Sequence, residues 1–311
     1  MKNIYKIINE IQTHLITWGD PFDCNGKDVI VCITGNPGIT DFYIEFGSEL
    51  HKETSLPVCI IGHAGHEEIP DQDKIKIHNQ EKLFNLKGQI EHKLDFIKNH
   101  IDKNSQIHII GHSIGAWIII ELMDKYYFLR DNILSTNLLF PTVQNMAETK
   151  NGIFMNKVVR RINPIILFLV SLLPLLPVVL VQFFVTCYLK FNGLPSSYME
   201  RIQKVLNPKC LENILFLAYN EMDTVLKLNS EGVKKLCSET NIIYSSRDNW
   251  APVHYVEDIK TIQPSFTFKL VDISHAFVLK SSERVALMVD RIQKGGLNAR
   301  SILPFSFCSS Q

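Results

Sequence analysis

One serine in this chain sits where a weak alcohol could be turned into a nucleophile. The stretch Ile107-His108-Ile109-Ile110-Gly111-His112-Ser113-Ile114-Gly115-Ala116-Trp117-Ile118-Ile119-Ile120 joins an apolar, β-branched run to a helix-like apolar run through a Gly-x-Ser-x-Gly core. That is the strand, sharp turn and helix that a nucleophile elbow needs. The glycines have a steric reason. The serine must adopt a strained backbone to expose its hydroxyl, and side chains two residues to either side would collide where strand and helix pass closely.

A serine hydroxyl attacks a carbonyl only if a base takes its proton and an acid orients that base. On a strand–turn–helix scaffold the chain order is Ser, then Asp or Glu, then His, the latter two just beyond strand ends. Asn241-Ile242-Ile243-Tyr244 reads as a strand and leads into Ser245-Ser246-Arg247-Asp248, which nominates Asp248. Phe266–Val271 reads as the last strand and leads into Asp272-Ile273-Ser274-His275, which nominates His275. Asp223, Glu239 and Asp272 compete as acids. Asp223 falls in a helical pattern over Ile214–Leu228 and its carboxylate is expected in solvent, whereas Asp272 is too near His275 to come from a separate strand end. His63, His66, His108, His112 and His254 lack the position that singles out His275.

The tetrahedral intermediate of acyl transfer carries an oxyanion that needs donors already aimed at it. The elbow offers the backbone N–H of Ile114. A second donor should come from the turn Gly35-Asn36-Pro37-Gly38, after the apolar strand Val29–Thr34. Proline has no N–H, so the Asn36 amide is the choice and Gly38 the fallback. The same four residues also read simply as a tight turn. This chemistry calls for no metal and no organic cofactor.

The elements that must hold these residues alternate. Strands are expected at Val29–Thr34, Leu56–Ile61, the elbow, Asn132–Phe140, Asn241–Tyr244 and Phe266–Val271. Helices are expected at Tyr43–Glu53, Leu83–Ile101, after the elbow and at Ser282–Ile292. This is an α/β chain with a mostly parallel sheet and helices on both faces. Ile11–Trp18 and its neighbours read as a hairpin at one sheet edge. All 311 residues are assigned to one domain, with a helical cap inserted over 143–220 and a loosely ordered tail over 294–311.

Composition is that of a globular protein, with 46% hydrophobic and 21% charged residues. A formal net charge of zero provides no field for nucleic acid. The seven cysteines form no Cys-x-x-Cys pair and no zinc-like cluster, so buried, reduced thiols in a cytosol-facing protein are expected. The start, Met1-Lys2-Asn3-Ile4-Tyr5, does not read as a secretory signal.

From Ile162 to Leu189 there is no charged residue, while Lys157, Arg160, Arg161 and Lys190 flank the run. About 20 apolar residues span a bilayer, but Pro174 and Pro177 divide this stretch into two pieces of about a dozen, each too short to cross. Topology argues the same way. Ser113 precedes the segment, and Asp248 and His275 follow it, so one crossing would separate them. The expectation is a hairpin that dips into lipid and returns, suited to the monolayer of a lipid droplet. A greasy cap packed on the protein's own core is the alternative.

Taken together, Gly35-Asn36-Pro37-Gly38, Gly62-His63-Ala64-Gly65-His66, Gly111-His112-Ser113-Ile114-Gly115, Asp248-Asn249-Trp250-Ala251-Pro252 and His275-Ala276-Phe277 resemble the lipid-droplet-associated hydrolases, in matching order over Val29 to Ile292. The resemblance implies an α/β-hydrolase fold and a serine hydrolase of neutral lipid esters, of cholesteryl ester or acylglycerol type. It implies residence on lipid droplets and the endoplasmic reticulum membrane through residues 162–189, with Ser113 as nucleophile, Asp248 as acid and His275 as base. A droplet scaffold or tether with little turnover would carry the same motifs. Arg247 beside Asp248 departs from a clean pattern, since a cation there could compete with histidine for the carboxylate.

Overall fold

The computed structural model describes residues 1–68 and 77–290. The expected tail over 294–311, the last two residues of the expected terminal helix and the middle of the charged loop after residue 67 lie outside them.

Eight strands form one sheet: β1 (Lys2–Ile8), β2 (Ile11–Trp18), β3 (Val29–Ile33), β4 (Val58–Ile61), β5 (Ile107–His112), β6 (Ile133–Leu139), β7 (Thr240–Ser245) and β8 (Thr267–Val271). Their spatial order is β1-β2-β4-β3-β5-β6-β7-β8. The first two form the expected antiparallel edge hairpin, and β2 also runs antiparallel to β4. Every pairing from β4 to β8 is parallel.

Between the strands run α1 (Ile44–Thr54), α2 (Ile77–Phe84), α3 (Leu86–Asn99) and α4 (Ile114–Lys125). After β6 come α5 (Lys150–Phe154), α6 (Arg160–Ser171), α7 (Val178–Asn192), α8 (Met199–Val205), α9 (Pro208–Thr224) and α10 (Ser230–Lys234). α11 (Val253–Ile262) links the last two strands, and a helix over 282–290 follows. The helix expected over Leu83–Ile101 is divided at Asn85, whose side chain accepts from the Gly88 N–H and starts α3 afresh.

β3 explains why the sheet is covered on both faces. Its side chains alternate, and all of them are buried. Val29, Val31 and Ile33 pack in one core with Ile90 and Phe96 of α3, Ile118 and Leu122 of α4 and Ile259 of α11. Ile30 and Cys32 face the other core, with Phe46 and Leu50 of α1 and with Val285 and Val289. Of the cysteines, Cys24, Cys32, Cys59 and Cys210 are buried and free as expected, but Cys187 on α7 is exposed.

The charge-free stretch forms two helices separated by Pro174 and Pro177, with a short 3-10 turn over Leu173–Leu175 between them. One detail differs from expectation. Helical structure begins upstream at Lys150 and runs through a π-helical turn, Met155–Val159, so the first apolar piece belongs to a 26-residue helical run, Lys150–Leu175. By length and composition that run is long enough to cross a membrane. Its charge-free part starts after Arg161, however, and 14 residues at 1.5 Å each reach only about 21 Å of a roughly 30 Å hydrocarbon core. No residue of α6 is buried, and α7 buries only Val185 and Leu189. α6 is therefore not packed into the protein's own core, whereas α7 touches it through Val185 and Leu189.

Candidate active site

β5 delivers its last residue, His112, directly into Ser113, which turns the chain at φ 54° and ψ −120° and is followed at once by α4. A non-glycine residue at such a φ is costly and persists only when its surroundings enforce it. The two flanking glycines permit it. A Cβ on Gly111 would lie 2.7 Å from the Ala116 nitrogen, and one on Gly115 would lie 2.6 Å from the Ile33 carbonyl oxygen. The elbow is pinned on both sides, because the Ser113 N–H donates to the Leu139 carbonyl at 2.9 Å and the Ser113 carbonyl accepts from Ala116 at 3.0 Å.

β7 and β8 end side by side, with Ser245 paired to Val271. The loops that follow carry Asp248 and His275. His275 Nε2 lies 2.9 Å from Ser113 Oγ, and His275 Nδ1 lies 2.6 Å from Asp248 Oδ2. The carboxylate can only accept, so Nδ1 carries the proton and Nε2 is left as acceptor for the serine hydroxyl. Asp248 Oδ1 accepts the N–H groups of Trp250 at 2.7 Å and Ala251 at 3.0 Å, which fixes its plane. Its side chain is fully shielded from solvent.

The competing residues lie elsewhere. Asp223 forms a two-pronged pair with Arg160 and is half-exposed rather than simply solvated. Arg247, expected to compete for Asp248, instead pairs with Asp272 at 3.1 Å on the surface. A side chain leaving the adjacent backbone position points away from its neighbour, and the competition does not arise.

The turn after β3 lies against the elbow, where Ile33 pairs with Gly111. A Cβ on Gly35 would come within 3.0 Å of both Ser113 Cβ and His112 Nδ1. The Asn36–Pro37 peptide is cis. The Gly35 N–H donates to the Tyr43 hydroxyl at 2.7 Å, and the Gly38 N–H donates to His66 Nδ1 at 3.0 Å. Gly38 as fallback donor is thereby overturned: its amide is spent on a buried imidazole. Ile114 opens α4, where N–H groups point out of the helix with the positive end of its dipole.

Several residues that hold this arrangement had no role assigned from sequence. His112 donates through Nε2–H to the His275 carbonyl at 3.0 Å and accepts from the Tyr43 hydroxyl at 2.6 Å. Burial, helped by the charge of His275, pushes its pKa down to about 3, so it is a neutral imidazole. Tyr43, fully buried, keeps its proton because burial raises its pKa well above the usual value. Glu221 reaches Asn36 from α9. A signal for it existed: Ile214, Leu217, Ala218 and Glu221 fall on one helical face, and an acid on an apolar stripe is out of place.

One other group has metal-ligand chemistry. Among the described residues, His14, Asp41 and Glu67 bring ligand atoms within 4.8 Å of one another. The carboxylates there already have partners, Lys204 on Asp41 at 2.5 Å, and His14 and the Thr40 N–H each on Glu67 at 2.6 Å.

The profile of the lipid-droplet associated hydrolase family matches residues 26–278. The chain belongs to this family. A lipid droplet-associated hydrolase of Drosophila melanogaster is 36% identical over 304 residues, covering 94% of this chain and 99% of its own length. The rat protein of the same name is 34% identical and covers 90% of each chain, and the human one is 30% identical and covers 85% of this chain and 83% of its own. Among solved structures, a bacterial membrane phospholipase A superposes with a TM-score of 0.65 at 13% identity, covering 96% of this chain and 87% of its own. A meta-cleavage product hydrolase of Pseudomonas fluorescens gives 0.64 at 14% identity, covering 95% and 98%. These likenesses establish the α/β-hydrolase fold, and family membership makes the chain a hydrolase.

Proposed function

We propose that this hydrolase is a serine esterase of neutral lipids, of cholesteryl ester or acylglycerol type, working at the lipid droplet surface. The observation that carries the reading is the hydrogen-bonded chain from Ser113 Oγ through His275 to Asp248, at 2.9 and 2.6 Å. Ser113 Oγ attacks the ester carbonyl while His275 Nε2 takes its proton, and Asp248 steadies the imidazolium. The oxyanion is met by the amides of Ile114 and Asn36. Collapse of the intermediate breaks the ester bond, and His275 returns the proton to the departing alcohol. Water, activated by the same imidazole, then releases the fatty acid from Ser113.

The choice of Asn36 rests on elimination within its turn. The amides of Thr34, Gly35 and Gly38 are committed to the Ile61 carbonyl, Tyr43 and His66, and Pro37 has none. The cap over 143–220 would bring the mouth of the site to oil. Phe168, Leu175, Val179 and Phe184 project from it into solvent, each more than half exposed, an apolar surface that water disfavours. Because Ser113 meets residues from beyond the insert, the stretch over 162–189 leaves and re-enters the body on one side. It would dip into the droplet monolayer, or into the cytosolic leaflet of the endoplasmic reticulum, with the catalytic body facing the cytosol.

A fluorophosphonate probe tests the chemistry. Labelling of the wild type that vanishes in Ser113→Ala is expected, together with hydrolysis of cholesteryl oleate or triolein emulsions by the wild type alone. A folded, droplet-bound wild type that is never labelled would instead be a scaffold, and the esterase reading would fall. Labelling without turnover of either emulsion would remove the substrate assignment.

A further inference from the structure

The turn carrying Asn36 is held from outside the sheet. The Asn36 side-chain nitrogen donates to the Ile214 carbonyl at 3.1 Å and to Glu221 Oε1 at 2.8 Å. A carbonyl can only accept, so the nitrogen end of the amide must face α9, and Glu221 is its acceptor. Both partners lie on α9, the last long helix between β6 and β7, so the Asn36 side chain is clamped by that helix and not by the strand before its turn. The clamp is shielded from bulk solvent: Glu221 is 4% exposed, and burial lifts its pKa to about 8, which leaves the carboxyl neutral at pH 7 with an oxygen free to accept.

A buried acid is expensive on an otherwise apolar helical face, where a leucine would pack without loss. From this geometry we infer that Glu221 is a positioning residue for the reaction, setting the Asn36 backbone amide to receive the oxyanion by gripping the Asn36 side chain. The inference rests on the esterase reading above. It adds that donor alignment depends on α9, a helix separate from the strand-end loops that carry Ser113, Asp248 and His275. Two residues further along α9, Asp223 grips Arg160 at the root of α6 at 2.6 and 2.8 Å. One helix thus ties the apolar segment to the oxyanion turn.

The test is a set of full-length variants assayed on a soluble p-nitrophenyl ester, with thermal melts run alongside. Glu221→Leu keeps the volume and removes the acceptor. It should lower kcat by about 10- to 100-fold with KM nearly unchanged, the scale of a misaligned catalytic group. Glu221→Gln retains an oxygen for Asn36 and should restore most of the loss. Asn36→Ala should match Glu221→Leu, and the double variant should be no worse than either, because both cut one link. Wild-type kcat in Glu221→Leu, or additive losses in the double variant, would overturn the proposal. So would a parallel fall in Glu221→Gln. If Glu221→Leu does not fold, Asn36→Ala and Glu221→Gln decide between the same outcomes. A wild type in which Ser113 is not labelled removes the esterase reading and the positioning role with it, whereas a labelled wild type with an indifferent Glu221→Leu removes only the latter.

Discussion

His112 Nε2–H donates to the main-chain carbonyl of His275 at 3.0 Å. The residue before Ser113 thus grips the loop that carries His275. The same ring accepts from the Tyr43 hydroxyl, which in turn accepts from the Gly35 N–H. Every proton in this relay has one permitted position, since a main-chain carbonyl at one end can only accept and an N–H at the other can only donate. The turn after β3, the elbow and the loop after β8 are therefore tied into one unit behind Ser113.

Tyr43→Phe tests that unit. The ring still fills its place, but the Gly35 N–H and His112 Nδ1 lose their partner in a buried setting, at about 1–3 kcal/mol for each orphaned group. The melting temperature should drop by several degrees, and the rate of Ser113 labelling should fall. An unchanged melt with unchanged labelling would show that the relay contributes nothing.

Two buried groups should bend stability against pH in opposite directions. The folded pKa of His112 is depressed to about 3 from 6.5, so the unfolded chain binds more protons between those values. Its contribution is complete above about pH 6.5 and is lost as the pH falls towards 3. Glu221 is raised to about 8 from 4.5, so here the folded chain holds more protons. Its contribution is complete below about pH 4.5 and is lost as the pH climbs to 8, at no more than about 1.4 kcal/mol per unit. Urea unfolding from pH 5 to 8 should show Glu221→Gln gaining on the wild type at the alkaline end. A constant difference between the two would mean that the carboxyl is not proton-linked to folding.

Asp248→Asn retains the shape of the acid but can present an N–H where the imidazole needs an acceptor. The ring then loses the tautomer that leaves Nε2 free for Ser113, and kcat should fall by about 10³- to 10⁴-fold with little change in KM. Single-turnover kinetics on the p-nitrophenyl ester would measure it. A loss under tenfold would point to another acid.

Changing Phe168, Leu169, Phe183 and Phe184 together to Ser should abolish binding to triolein droplets in a flotation assay while the melt is preserved. All four are exposed, whereas Val185 and Leu189 on α7 belong to the core and must be left intact. Retained flotation would place the lipid-binding surface elsewhere.

The sequence made the frame readable because its signals were local. The buried strands appear as apolar, largely β-branched runs, and Ser113 and Asp248 each follow one, while His275 follows the partly exposed edge strand β8, so the Gly-x-Ser-x-Gly core and chain order together nominate the three side chains that meet here. The edge hairpin was legible in the same way. What stayed hidden depends on contacts across long separations. Nothing near Arg247 shows that it turns to Asp272, and nothing near Gly38 shows that its amide is taken by His66. The upstream extension of the first apolar helix is not legible either, because Lys157, Arg160 and Arg161 read as a basic flank of the apolar run. In the structure Arg160 is instead the point at which that helix is fastened to α9.

β6 and β7 are direct neighbours, paired from Thr136 with Thr240 to Leu139 with Ile243, although residues 140–239 intervene along the chain. The sheet thus closes beneath the excursion without help from it. On the proposed reading, attachment to oil and bond cleavage would then be separate modules, exchangeable as long as a replacement stretch presents a hydrogen-bond acceptor to Asn36.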